Sequence, residues 1–252
     1  MIPLRLIARL DVKGSNIVKG VRMDGLRIIG KPHDLAKKYY EAGIDEIVYI
    51  DTVASLYGRS NILPIVEETA RDIFVPLTVG GGLRSIDDIR EALLSGADKV
   101  AINTAAVKRP DFIREAAEVF GAQCVVLNIE AKKMADGKWE AYIDNGRERT
   151  GVDAVDWSMQ AESLGAGEIL VTSVDRDGTK KGFDQELLRE IRNRVHVPVI
   201  ASGGCGSIGD IVQGMKNGTS DAVACASLLH YEIATISEIK QAVQDAGFEA
   251  RL

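Results

Sequence analysis

Residues 75–89 read VPLTVGGGLRSIDDI, and residues 197–211 read VPVIASGGCGSIGDI. Each passes from a β-branched run through a glycine turn into an amphipathic stretch, and the offset between them is 122 residues. The same offset relates AGIDEIVYID (42–51) to LGAGEILVTS (164–173), and GADKVAINTAAV (96–107) to GTSDAVACASLL (218–229). LIARLD (6–11) matches VVLNIE (125–130) at an offset of 119. A repeat this long sets the architecture before any motif is read.

On either side of these segments, short apolar runs predict strands at 4–11, 46–51, 75–79, 98–103, 123–130, 167–172, 197–202 and 220–225. Helical periodicity lies between them, for example over 109–119 and 184–194. Strands that alternate with helices form right-handed βαβ units and a parallel sheet. Eight units in this length predict an α/β fold, a (β/α)8 TIM barrel built from two similar (β/α)4 halves. An open doubly wound sheet would carry its glycine fingerprint at the first strand–helix turn, and DVKGSN (11–16) is not one. The expected organisation is one domain over residues 1–252, with half-barrels of about 1–121 and 122–252.

Of the 252 residues, 46% are hydrophobic and 27% are charged, which excludes disordered and fibrous classes. No apolar run approaches the ~18 residues of a membrane span. The N-terminal MIPLRLIARLD carries Arg5, Arg9 and Asp11 without a small-residue cleavage site, so a cytoplasmic protein is expected. The net charge of −6 argues against nucleic-acid and anionic-membrane partners. Cys124 and Cys225 lie in apolar runs and are expected as reduced core residues; with Cys205 they make an odd set. No pairing of these with His33, His196 or His230 has metal-ligand spacing, so no metal is expected.

Active sites of such barrels sit at the C-terminal strand ends. Asp11 closes the first strand and Glu130 the fifth, at matched positions, so the two carboxyl groups should face each other and can divide acid and base roles. Gly80, Gly81 and Gly82 follow the third strand; Ser202, Gly203, Gly204 and Gly206 follow the seventh. Each turn precedes a helix, whose first amides attract phosphate. Asn103 and Thr104 after the fourth strand, and Ala226 and Ser227 after the eighth, would complete two cradles. Two cradles imply a small bis-phosphate substrate. Asp177 and Gly178 in the DRDGT turn (175–179) offer further polar contacts, and residues 12–31, with Lys19 and Arg27, are expected as a long loop or lid. At the opposite end, Arg5, Glu46, Lys99 and Glu168 would ring the barrel bottom as a charge cluster or a gate.

Together LDVKGSNIVKGV (10–21), LTVGGGLRS (77–85), ADKVAINTAAV (97–107), GAGEILVTSVDRDGTKKGFD (165–184) and VIASGGCGS (199–207) resemble the HisF family, the cyclase subunit of imidazole glycerol phosphate synthase. The resemblance covers essentially the whole chain, and the sister HisA isomerase matches less well. It implies a lyase of histidine biosynthesis that needs no cofactor. A HisH-like glutaminase, in a 1:1 heterodimer, would deliver ammonia through the barrel. The formimino carboxamide ribonucleotide would be cleaved and cyclised at the top. Asp11 matches one family aspartate and Lys19 the mobile-loop lysine. Gly82, Asn103, Thr104, Asp177, Gly178, Gly204 and Ser227 match its substrate loops, and Arg5, Glu46, Lys99 and Glu168 its gate.

Three residues depart from the family. Glu130 replaces an aspartate, Arg9 a cysteine, and Asn128 a small residue. Side chains two apart on a strand share a face, so Arg9 and Asn128 should lie inside the barrel beneath Asp11 and Glu130. A buried Arg needs a partner, and an Arg9–Glu130 ion pair is expected. Two alternatives stay open: a HisF-like paralogue serving ammonia transfer in amino or amidino surface-sugar biosynthesis, and a non-catalytic glutaminase-docking module.

Overall fold

The structure, a computed structural model, describes residues 3–54 and 62–251. Its strands are β1 (Arg5–Lys13), β2 (Asn16–Val21), β3 (Asp24–Gly30), β4 (Glu46–Asp51), β5 (Leu77–Gly80), β6 (Lys99–Ile102), β7 (Val125–Lys133), β8 (Trp139–Ile143), β9 (Glu148–Asp153), β10 (Glu168–Ser173), β11 (Val199–Ser202) and β12 (Ala222–Cys225). Eight of them pair in parallel in the order β10-β11-β12-β1-β4-β5-β6-β7, and β7 pairs back to β10. That closure makes the expected (β/α)8 barrel.

Period-two alternation along β1 explains the layering. Leu6, Ala8 and Leu10 point to the helices and belong to the large outer core. Ile7 points inward, where it meets Val48, Ile50, Ala101, Val126, Leu170, Ile200, Ala222 and Ala224 in a smaller apolar plug. Both strand faces are buried, which is why the sequence shows near-continuous apolar runs. The helices follow the complementary rule. In Gln185–Arg192, Leu187, Leu188 and Ile191 are buried. Glu186, Arg189 and Glu190 take the other face, and Asp184 caps the first turn by accepting from the Leu187 N–H at 3.2 Å.

The repeat reappears in detail. Ser85 and Asp88 form a capping box on the helix Ile86–Leu94, and Ser207 and Asp210 form its counterpart on Ile208–Lys216. Asp98 accepts from the Leu77 N–H at 2.8 Å, and Asp221 accepts from the Val199 N–H at 2.9 Å. Residues 12–31, expected as a loop or lid, instead form the antiparallel hairpin β2–β3. A second hairpin, β8–β9, follows β7 at the matched place. Cys124 is also corrected: it closes a short 3-10 turn before β7 and is only half-buried, whereas Cys205 and Cys225 are buried. No helix among the described residues is long and apolar enough to cross a membrane.

The last helix, Ile236–Asp245, is tied to the barrel bottom by Lys240. Its buried ammonium donates to Asp45 and to the Gly43 carbonyl, both at 2.7 Å. Removing one partner of a buried pair leaves the other uncompensated. Lys240→Ala is therefore expected to cost about 3–5 kcal/mol in urea denaturation. A cost under about 1 kcal/mol would show that the pair adds nothing over water.

Candidate active site

The mouth is built on the C-terminal ends of the strands. Asp11 and Glu130 both lie there, 6% and 3% exposed. Arg9 stands one layer below Asp11, in the interior and 2% exposed. Its Nε donates to Asp11 Oδ1 at 2.9 Å, and its Nη1 donates to Thr172 Oγ1 at 2.6 Å and Ser202 Oγ at 3.2 Å. The expected Arg9–Glu130 ion pair is thus replaced by an Arg9–Asp11 pair. A guanidinium on β1 reaches the acid two residues along its own strand and spans to β10 and β11, so its donors are taken before it approaches β7. Ser202, read as a phosphate ligand, has its hydroxyl engaged by Arg9 here.

Two cations bracket Asp11. Lys19 Nζ lies 3.6 Å from Asp11 Oδ2 and bonds Asp177 at 2.7 and 2.9 Å. Burial pushes the Asp11 carboxyl up, but Arg9 and then Lys19 outweigh it, and the net shift is downward. Glu130 goes the other way. Burial pushes it up to about 7, and the Arg9 charge and the Gly146 N–H offset this only in part. The two acids therefore separate into a fixed carboxylate and one that titrates near neutrality. His230, close enough to feel Asp11, is pushed down to about 4 by burial; its Nδ1 lies 2.7 Å from the Tyr39 hydroxyl.

The hairpin β2–β3 is clamped over this site. Lys19, expected as a mobile-loop residue, is buried in its pair with Asp177. The Arg22 N–H donates to the Asp177 carbonyl at 2.7 Å. Gly178 permits the approach: a Cβ there would lie 2.2 Å from the Gly20 carbonyl oxygen, and its φ is +69°.

The two cradles differ. On the first-half side a cavity of about 300 Å³ opens, lined by Gly81, Gly82, Asn103, Thr104, Asn128 and Glu130, with Asp51 and Asn145. Gly81 is needed there, since a Cβ would lie 2.3 Å from the Asp51 carbonyl oxygen. On the second-half side only about 10 Å³ remains among Arg9, Lys19, Asp177, Gly178, Gly203, Gly204, Ala226 and Ser227. Outside it, Lys19, Arg27, Gly178, Lys180, Ser227 and Tyr231 line an open groove. The phosphate expectation also shifts in detail. The helices after the glycine turns are capped by Ser85 with Asp88 and by Ser207 with Asp210, which engages the amides of those four residues. The short helices Thr104–Lys108 and Ser227–His230 start without a side-chain cap and leave first-turn amides for an anion.

The second hairpin brings groups to the site that the strand-end residues do not indicate. Gly146 at its tip donates its N–H to Glu130 Oε2 at 2.8 Å. Asn145 donates to the Met23 carbonyl at 3.4 Å and so joins the two hairpins. The signal was the Asp144-Asn145-Gly146 turn, with Asp144 and Asn145 at positive φ. Lys108 and Arg109 at the cavity rim are further cations that strand-end reading omits.

At the barrel bottom the four predicted charges close into a ring. Arg5 bonds Glu46 at 2.9 Å and also Glu168; Lys99 bonds Glu46 at 3.2 Å and Glu168 at 3.0 Å.

A family model described as "Histidine biosynthesis protein" matches residues 5–235. The chain is 57% identical to imidazole glycerol phosphate synthase subunit HisF of Legionella pneumophila over 208 residues, 82% of this chain and 98% of the relative. It is 49% identical to the HisF subunit of Bacillus cereus strain Q1, and 48% to that of strain G9842, over the full length of both chains in each case.

Proposed function

The chain belongs to the histidine biosynthesis protein family, among relatives that are HisF subunits of imidazole glycerol phosphate synthase, and we propose that it is the cyclase subunit using ammonia from a glutaminase partner. The substrate is a formimino carboxamide ribonucleotide with a phosphate at each end, cleaved and cyclised to imidazole glycerol phosphate. Residues 1–252 act as one barrel domain. The observation that carries this reading is the pair of unlike acids, Asp11 and Glu130, at matched strand ends beside an open cavity.

Asp11, held ionised by Arg9, stabilises positive charge that develops as ammonia adds and water departs. Glu130 bonds Gly146 through one oxygen; the other has no hydrogen-bond partner among the described residues. Poised near 7, it gives a proton to a departing group and recovers it in a later step. One phosphate binds at Gly81, Gly82, Asn103 and Thr104. The other binds at Gly203, Gly204, Ala226 and Ser227, after Lys19 exchanges Asp177 for the substrate.

The glutaminase docks on the bottom face. Phe74, Leu94 and Val119 are 76%, 81% and 53% exposed, near the bottom ends of the segments that lead into β5, β6 and β7. They flank the Arg5–Glu46–Lys99–Glu168 ring, which gates ammonia entry. Large exposed apolar side chains grouped on one face mark a contact surface.

The test is turnover of the ribonucleotide by the purified chain with ammonium chloride at pH 8. Turnover that Lys99→Ala spares with ammonium, but lowers with glutamine and the partner, supports both the cyclase and the gate. Tight bis-phosphate binding without turnover favours the second reading, for which the Arg9–Asp11 pair speaks. In that reading a HisF-like barrel supplies ammonia to another reaction, such as amino- or amidino-sugar synthesis.

A further inference from the structure

Asn128 is 4% exposed and sits inside the barrel on β7, two residues below Glu130 on the same face. Its side-chain oxygen is buried and accepts no hydrogen bond. Its neighbours are otherwise well provided: Arg9 bonds three side chains, and Asn103 and Asn145 each donate to a carbonyl. A buried amide left without partners is costly, so such a group in a cavity wall marks a place for a ligand with matching polarity.

Position narrows the ligand. Asn128 lines the deep side of the open cavity, and directly beneath it lies the apolar layer of Val126, Leu170 and Ile200. A cation reaching Asn128 from below would have to shed its water in that layer and then meet the buried Arg9 guanidinium. A small neutral amine sheds its water at far lower cost and is not repelled by the guanidinium. We propose that Asn128 is a binding station for neutral ammonia, the last polar contact before the reacting carbon. This rests on the cyclase reading above. Neither end of the amide is bonded among the described residues, so a half-turn of the side chain brings the oxygen round to the cavity, where ammonia donates an N–H to it and keeps its lone pair unengaged for attack at the level of Glu130.

The pair Asn128→Val and Asn128→Thr isolates the hydrogen bond, because the two replacements are near-isosteric and β-branched, and so suit a strand. With ammonium chloride as nitrogen source, Asn128→Val is expected to raise the KM for ammonia about tenfold, the worth of one hydrogen bond. The kcat at saturating ammonia and the KM for the ribonucleotide should stay put, and Asn128→Thr should recover most of the loss. Equal behaviour of the two variants, or a rise in ribonucleotide KM instead, overturns the site. A second measurement needs no turnover. The Asn128 side-chain amide NMR signal of the unaltered chain is followed during ammonium chloride titration at pH 9.5 and pH 6, with tetramethylammonium chloride as control. A saturable shift at pH 9.5 alone supports the station even if the chain proves not to be a cyclase. A shift at pH 6 of equal size, or none at either pH, overturns it.

Discussion

Glu130→Gln is expected to lower ammonium-supported turnover by about 10²–10⁴-fold, the usual contribution of a positioned acid–base group. The same change should stabilise the fold at alkaline pH. Glu130 is buried and its carboxyl is raised from 4.5 to about 7. Between those values the folded chain holds a proton that the unfolded chain has released, so stability falls as pH rises from about 4.5 to about 7. Above 7 the penalty is complete, on the order of 3 kcal/mol for a shift of this size. Glutamine carries no such penalty. Thermal melts of the two proteins should therefore differ at pH 8 and converge toward pH 4.5. Kinetics at fixed ammonia should lose activity as pH rises through about 7, and that limb should vanish in Glu130→Gln. A variant that keeps the limb would assign the acid to another group.

Asp11→Asn should damage both stability and turnover, and for a different reason. Asp11 is the carboxylate that compensates Arg9, and both are buried. Neutralising it leaves the guanidinium with neutral acceptors only, an amide oxygen beside the Thr172 and Ser202 hydroxyls. Breaking a buried pair in this way costs about 3–5 kcal/mol. The pH dependence is the reverse of that for Glu130. The Asp11 carboxyl is lowered in the fold, so its stabilisation is present above the ordinary value of 3.8 and is lost as pH falls through the folded value. Turnover should fall about 100-fold or more, since an oriented charge at a developing cation is removed. The double change Arg9→Met, Asp11→Asn should restore most of the stability, because no buried guanidinium is then left without its carboxylate. It should not restore turnover. Recovery of turnover in the double variant would show that Asp11 acts only through Arg9.

These two acids also show where reading the chain stopped. Their placement at matched strand ends was legible, since the internal repeat, at an offset of 119 here, and the strand period fix which residues close each strand. Arg9 and Asn128 were legible as interior residues by the same period. The partner of Arg9 was not. Symmetry pointed across the barrel to Glu130, but a guanidinium is reached by whichever acceptor its rotamer meets first. Asp11, Thr172 and Ser202 are nearer through the β1–β12–β11–β10 arc. The clamp of Lys19 on Asp177 escaped for a like reason, since the two lie 158 residues apart and meet only when the hairpin folds over the mouth.

The closed barrel, the two-fold repeat, the carboxyl groups at the mouth, the glycine turns and the charged ring at the bottom are all written in the amino-acid order. All of these follow from local periodicity and spacing, which the chain carries in one dimension. Which acid is fixed and which titrates, which side of the mouth is open, and which buried amide is left without a partner emerge only in the folded molecule. Those outcomes depend on burial and on competition among distant donors for a few acceptors, and both are set only when the sheet closes.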